Sequence, residues 1–189
     1  GHLFPETQSR IIAMSYDYTV FAGTQGTRNH YKQDRMFDLA KRHQIPVIAF
    51  MEGGGGRPGD TDGKGGVAMD TKTFTDWSKL SGLVPLVGIT NGRCFAGNAA
   101  LAAASDVIVA TRDASLGMGG PAMIEGGGLG RVAAEAVGPV SMQAPNGVLD
   151  LVVEDEAGVS FARLLPDGVE SRHHGDRMVE LLVVNGGGW

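Results

Sequence analysis

The chain has 189 residues, a formal net charge of −5 and one cysteine, long enough for one well-buried domain and too long for a disulfide-stapled miniprotein. Apolar residues make up 42% and charged residues 20%, close to globular averages, and no apolar stretch approaches the roughly 20 residues of a membrane span. The acidic balance argues against a nucleic-acid binder, a lone Cys94 excludes an internal disulfide, and the lack of a signal-peptide pattern makes a reducing cytoplasm the expected compartment.

Strands are expected at residues 10–14, 18–22, 46–51, 85–90, 106–110 and 148–153, because these short runs are apolar on both faces. Helices are expected between them. Residues 29–43 place Met36, Leu39, Ala40 and His43 at helical spacing, and residues 73–82 do the same with Phe74, Trp77, Ser78 and Leu80. A third helix, rich in alanine, should follow Gly97. Alternation of covered strands with helices predicts an α/β layer structure. Residues 1–165 read as one domain. Residues 166–189, with His173-His174 and a terminal glycine run, read as a poorly matching tail, and the chain reads as part of something longer.

Glycine is the outlier, with 30 residues against about 13 expected at the usual ~7%. The clusters at Gly53 to Gly56, Gly63 to Gly66, Gly117 to Gly120 and Gly126 to Gly128 adjoin apolar runs, which suggests backbone brought close to a ligand. Two junctions stand out. In the first, residues 46–51 run into Glu52, four glycines and Arg57. In the second, Asn91-Gly-Arg-Cys-Phe-Ala-Gly97-Asn98 runs into the alanine-rich helix, whose leading amides at Gly97, Asn98 and Ala99 lack intrahelical acceptors. If each junction contributed one N–H to a single carbonyl oxygen, the pair would make an enolate-stabilising site. A mobile turn and close helix–sheet packing are the alternatives.

These residues, with Ser105-Asp106-Val-Ile-Val-Ala110 and Ala114-Ser-Leu-Gly117, resemble the crotonase superfamily of acyl-CoA enzymes. Within it the chain resembles the carboxyltransferase component of biotin-dependent acyl-CoA carboxylases. That likeness is carried by Tyr18 to Gly26, His30 to Arg35, Glu52 to Asp62, Gly82 to Pro85, Gly119 to Gly128 and Pro145 to Val148, which occur in family order. It implies a spiral of ββα units forming one half of a carboxyltransferase. It also implies transfer of a carboxyl group from carboxybiotin, carried on a separate domain or subunit, to the α-carbon of an acyl-CoA. Implied partners are a biotin carboxyl carrier, a biotin carboxylase, the second carboxyltransferase half and further copies of the chain.

On this resemblance the backbone donors fall at Gly55 or Gly56 and at Gly97 or Asn98. Asn98 stands where the family commonly has a second glycine, so its bulk is expected to narrow the acyl pocket. Gly54, Phe95, Ala96, Met118, Gly119 and Gly120 would line the substrate site, and Lys32, Arg35 and Arg57 would meet its anionic parts. No metal is expected. Cys94 reads as a buried thiol rather than a nucleophile. Glu125, where superfamily dehydratases often carry an acid, keeps a hydratase, isomerase or decarboxylase open as an alternative, beside a non-catalytic assembly module.

Overall fold

A computed structural model describes residues 10–60 and 71–155. The tail at 166–189, His173-His174 and the glycines at 63–66 lie outside the described residues. In chain order the elements are β1 (Ile12–Ser15), α1 (Thr27–His43), β2 (Val47–Phe50), α2 (Lys72–Leu80), β3 (Leu86–Thr90), β4 (Arg93–Phe95), α3 (Gly97–Ala103), β5 (Val107–Thr111), β6 (Ser115–Gly117), α4 (Pro121–Gly126), α5 (Val140–Gln143) and β7 (Leu151–Val153). Short 3₁₀ turns fall at Phe21–Gly23 and Ala134–Ala136.

Five parallel strands form the main sheet in the order β1-β2-β3-β5-β7. Ile48 sits opposite Val87, and Ile89 opposite Val109. Because side chains alternate along a strand, Val47, Ala49, Leu86 and Ile108 join the main core on one face, while Ile48, Val87, Ile89 and Val109 cluster on the other. Every residue of β3 is buried. This two-sided burial explains why the strands read as continuous apolar runs.

Helix α1 closes over the first face through Phe37 and Ala40. Its N-terminal orphan amides find carboxylate and carboxamide acceptors: Thr27 N–H donates to Asp60 Oδ2 at 2.6 Å and Gly26 N–H to Asn29 Oδ1 at 3.0 Å. Lys41, Arg42 and His43 complement the dipole at the other end, where Gln44 adopts a left-handed conformation and stops the helix. In α2 the spacing of Thr73, Trp77 and Leu80 gives one buried face. Trp77 stacks obliquely on Phe37 with ring centroids 5.0 Å apart, and its indole N–H donates to the Leu101 carbonyl at 2.9 Å.

The chain repeats strand, short strand and helix: β3, β4 and α3 form one such unit, and β5, β6 and α4 form the next. The short strands make a second parallel sheet, in which Cys94 lies beside Leu116. These are the ββα units that the resemblance implied. Strands β4 and β6 are too short to carry a sequence signal. They hold because Gly53 pairs with Cys94 on one side and Pro139 with Ser115 on the other.

One expected strand does not form. Residues 18–22 make a turn and a 3₁₀ segment, in which Phe21 and Ala22 have φ of 49° and 53°. The turn is set by Asp17, whose Oδ1 accepts the Thr19 amide at 2.9 Å and the Thr19 hydroxyl at 2.5 Å. These bonds, the hydroxyl's first, hold the Asp17 carboxyl below its ordinary value. Tyr18, Val20 and Phe21 are left exposed, so apolar character alone misidentified the segment.

Candidate functional site

The two glycine-bearing junctions meet. Gly53 N–H donates to the Arg93 carbonyl and Phe95 N–H donates back to the Gly53 carbonyl, both at 2.8 Å, so the turn after β2 runs alongside β4. Two residues on, the Cα of Gly55 faces the start of α3. A Cβ placed there would lie 3.2 Å from the Gly97 nitrogen and 2.5 Å from the Ala96 methyl. Gly55 also has φ of +85°, a backbone state that a side chain strains. On the α3 side, the Gln25 carboxamide and the Phe74 ring pack against Gly97.

An account of the amides separates the four glycines. Gly53 N–H is taken by Arg93, Gly54 N–H by the Ala22 carbonyl at 3.1 Å, and Gly55 N–H by Asn98 Oδ1 at 3.0 Å. Gly56 pairs with Gln25 only through its neighbours, since Gln25 N–H donates to the Gly55 carbonyl and Arg57 N–H to the Gln25 carbonyl. Among the described residues, the Gly56 amide has no protein acceptor. The leading amide of α3, at Gly97, is likewise without one, while Ala96 N–H bonds the Gly117 carbonyl at 3.0 Å. Gly56 and Gly97 are both partly exposed. Ala96 holds φ of 50° and ψ of −119° as the residue before α3, a strained turn that aims the helix start at the glycine loop.

Phe95 and Gly120 fall beside this pair of turns, while Gly119 packs on Met123. The Phe95 ring is buried against Gly120, the residue before α4. Met118 is 60% exposed at the end of β6. The Asn98 side chain is fully buried and turned beneath the glycine loop. Arg57 is committed to its own surroundings, donating from Nη2 to the Thr24 carbonyl at 3.0 Å and to Asn29 Oδ1 at 3.4 Å, and stacking 5.0 Å above the Phe21 ring. With Tyr16, Asp17, Val20, Gly23, Thr24 and Asn29 it lines a cleft of about 210 Å³. Lys32 and Arg35 lie farther along α1, exposed, with Arg35 against the Tyr31 ring. Of the three cations, Arg57 adjoins Gly56 in the loop, whereas Lys32 and Arg35 are on α1.

Three side chains that were not singled out as site residues, Tyr16, Gln25 and Gln33, pack behind the site. Gln25, 2% exposed, donates through Nε2 to the Tyr16 hydroxyl at 2.8 Å, and Gln33 donates to the same oxygen. Burial pushes the Tyr16 phenol up to about 12, outweighing these two bonds, which pull it down. The only sequence hint of Gln25 was its place between Gly23 and Gly26. Cys94 is a buried free thiol, pushed up to about 12 by desolvation, and is inert as a nucleophile at neutral pH. Glu125 is exposed and ion-paired to Arg131 Nε at 2.7 Å. No helix among the described residues is long and apolar enough to cross a membrane.

Comparison with known proteins bears on this arrangement. The profile of the carboxyl transferase domain matches residues 9–169. The chain is 31% identical over 144 residues to the biotin-dependent long chain acyl-coenzyme A carboxylase beta4 subunit of Mycobacterium tuberculosis, covering 76% of this chain and 27% of that protein. It is 30% identical over 147 residues to the methylmalonyl-CoA carboxyltransferase 12S subunit of Propionibacterium freudenreichii subsp. shermanii, covering 77% of this chain and 28% of that one. Among solved structures, a single-chain, multi-domain long-chain acyl-CoA carboxylase superposes with a TM-score of 0.72 at 62% identity, covering 78% of this chain and 15% of that chain. The chain thus spans little more than a quarter of the length of these two curated relatives.

Proposed function

Because the chain belongs to the carboxyl transferase domain family, whose named relatives are enzymes, we propose that it forms the acyl-CoA-binding part of a carboxyltransferase. In this reading the thioester carbonyl oxygen rests between the amides of Gly56 and Gly97. The observation that supports it most is the joining of the two turns: Gly53 pairs with Cys94, Gly55 packs on Ala96, and the Gly56 amide on one side and the leading amides of α3, Gly97 first, on the other are left without a protein acceptor among the described residues.

The chemistry follows from those amides. Removing an α-proton from a thioester leaves charge on the carbonyl oxygen, and fixed N–H donors aimed at that oxygen stabilise the enolate more than the ground state. Each such donor contributes about 2.7–4 kcal/mol to the barrier. Carboxybiotin, when bound, would supply the carboxyl group for the α-carbon: its N–C bond would break as the new C–C bond forms, and the ureido nitrogen so freed would end with the α-proton. The residues of this chain hold the thioester and shield it, with Phe95, Gly119 and Gly120 forming the wall beside the cradle.

Completion of the site would fall to partners: a biotin carboxyl carrier, a biotin carboxylase, the second carboxyltransferase half and other copies of this chain. A cytoplasmic setting and the division at residue 165 belong to the same proposal. Calorimetric titration of the purified chain with a panel of acyl-CoAs, followed by addition of free biotin, tests it. Saturable thioester binding is expected without net carboxyl transfer. Failure of every acyl-CoA to bind would overturn the reading.

A further inference from the structure

We infer that the Asn98 carboxamide is a positioning residue for the carbonyl cradle: by bonding the Gly55 amide it fixes the glycine turn so that Gly56 N–H, beside Gly97 N–H, faces the ligand. The inference rests on the carboxyltransferase reading above and adds to it which amides do the work and what holds them.

Asn98 is the second residue of α3 and the one polar side chain in a helix otherwise made of Gly, Ala and Leu. It is fully buried. A carboxamide sealed in an apolar interior is costly unless its atoms are bonded, and here they are. Oδ1 accepts Gly55 N–H at 3.0 Å, while Nδ2 donates to the Gly23 and Glu52 carbonyls, each at 3.4 Å. One side chain therefore ties together the turn after β1, the loop after β2 and the start of α3. The fit is close enough that a Cβ on Gly53 would collide with the Asn98 carboxamide.

The consequence is a division of labour among adjacent amides. Gly55 N–H is held by Asn98 Oδ1, while the Gly56 amide, one residue on and partly exposed, has no protein acceptor among the described residues. Alanine at position 98 would leave Gly55 N–H and two carbonyls without this partner, and the loop would relax to satisfy them. Aspartate would keep an acceptor for Gly55 but set a second oxygen against the two carbonyls.

The test compares an acyl-CoA thioester with the corresponding thioether, in which the carbonyl is a methylene, by calorimetry on the intact chain. Wild type should prefer the thioester, and Asn98→Ala should lose that preference, weakening the thioester by about tenfold while leaving the thioether unchanged. An Asn98→Ala chain that retains the full preference overturns the role of Asn98. A wild-type chain with no preference overturns the carbonyl cradle itself, and is recognisable as such because both ligands then bind alike. Amide hydrogen exchange on wild type needs no variant to fold. Gly55 should be protected and Gly56 should exchange rapidly, and the reverse order overturns the assignment.

Discussion

The methyl group of Ala96 fills the space that a Cβ on Gly55 would require, with only 2.5 Å between the two positions. Both residues have positive φ, +85° at Gly55 and 50° at Ala96, so two strained backbones face one another where β2 and β4 end. Gly55→Ala therefore meets a steric and a conformational penalty together. It is expected to lose about 1–3 kcal/mol of stability from the backbone term alone, read by urea denaturation, and to lose thioester binding. Gly54→Ala provides the control. Gly54 is exposed, has no positive φ, and a Cβ there would first meet the Thr24 methyl at 3.1 Å, a side-chain atom rather than backbone, so stability should stay within about 1 kcal/mol of wild type.

Arg57 offers a choice between two roles that a pair of ligands separates. Its bonds to Thr24 and Asn29 brace the loop that carries Gly56, while its charge suits a nucleotide phosphate. Arg57→Gln should weaken acyl-CoA and acyl-pantetheine equally if bracing is its contribution, measured by titration with each. Loss confined to the ligand that carries phosphates would assign Arg57 to the anion instead. The geometry favours equal loss.

The buried thiol yields a chemical prediction. Cys94, raised from 9.0 to about 12 by desolvation, stays protonated at pH 8. Iodoacetamide should leave it unmodified in the folded chain and react once urea unfolds it. The sign for stability follows, because the raised value favours the fold fully below about pH 9 and the advantage disappears as pH climbs towards 12. Cys94→Ala should retain thioester binding, and abolition of binding would contradict the inert assignment.

His30 gives the acid-side counterpart. Its Nδ1 lies 3.0 Å from Thr73 Oγ1, which donates to Asp34 Oδ1 at 2.6 Å, and its ring lies near Phe74. Burial lowers the imidazole below 6.5, outweighing the opposing pull of Asp34 and Asp60. The unfolded chain therefore takes the proton first. The contribution of this group is complete above about pH 6.5 and is lost as pH falls through the interval down to the folded value. Denaturation midpoints measured from pH 8 to pH 5 should fall less steeply in His30→Gln than in wild type.

Much of the fold was legible because fully covered parallel strands leave a plain record. Residues 46–51, 85–90 and 106–110 were readable as buried runs, and β2, β3 and β5 lie within a residue or so of those limits. The 29–43 helix was readable from its apolar spacing, and its start moves only to Thr27 because Asp60 and Asn29 supply acceptors for the first amides. Residues 18–22 failed for a local reason, the Asp17 turn. The strands β4 and β6 left no trace because three residues have no period.

At the candidate site, composition and order marked the two glycine junctions, and structure added what spacing cannot express. Asn98 was conspicuous as a departure from the family pattern and was expected to crowd the acyl pocket. The direction of its side chain depends on the loop 43 residues earlier in the chain. Gln25 and Gln33 lie inside blocks that carried the resemblance, and Tyr16 just before the first, but nothing in their spacing marked them as partners. Their shared hydroxyl is a contact between segments brought together only by the packing of α1 on the sheet.

Sequence alone thus determined the parallel α/β layering, the membership of the family and the two glycine-rich turns, since each is written in local periodicity or residue order. Tertiary structure decided that those turns join, that Gly55 spends its amide on Asn98 while Gly56 keeps its own, and that Arg57 is held inside a loop. Hydrogen-bond partners are chosen by distance and direction in space, and a linear string records neither for residues dozens of positions apart.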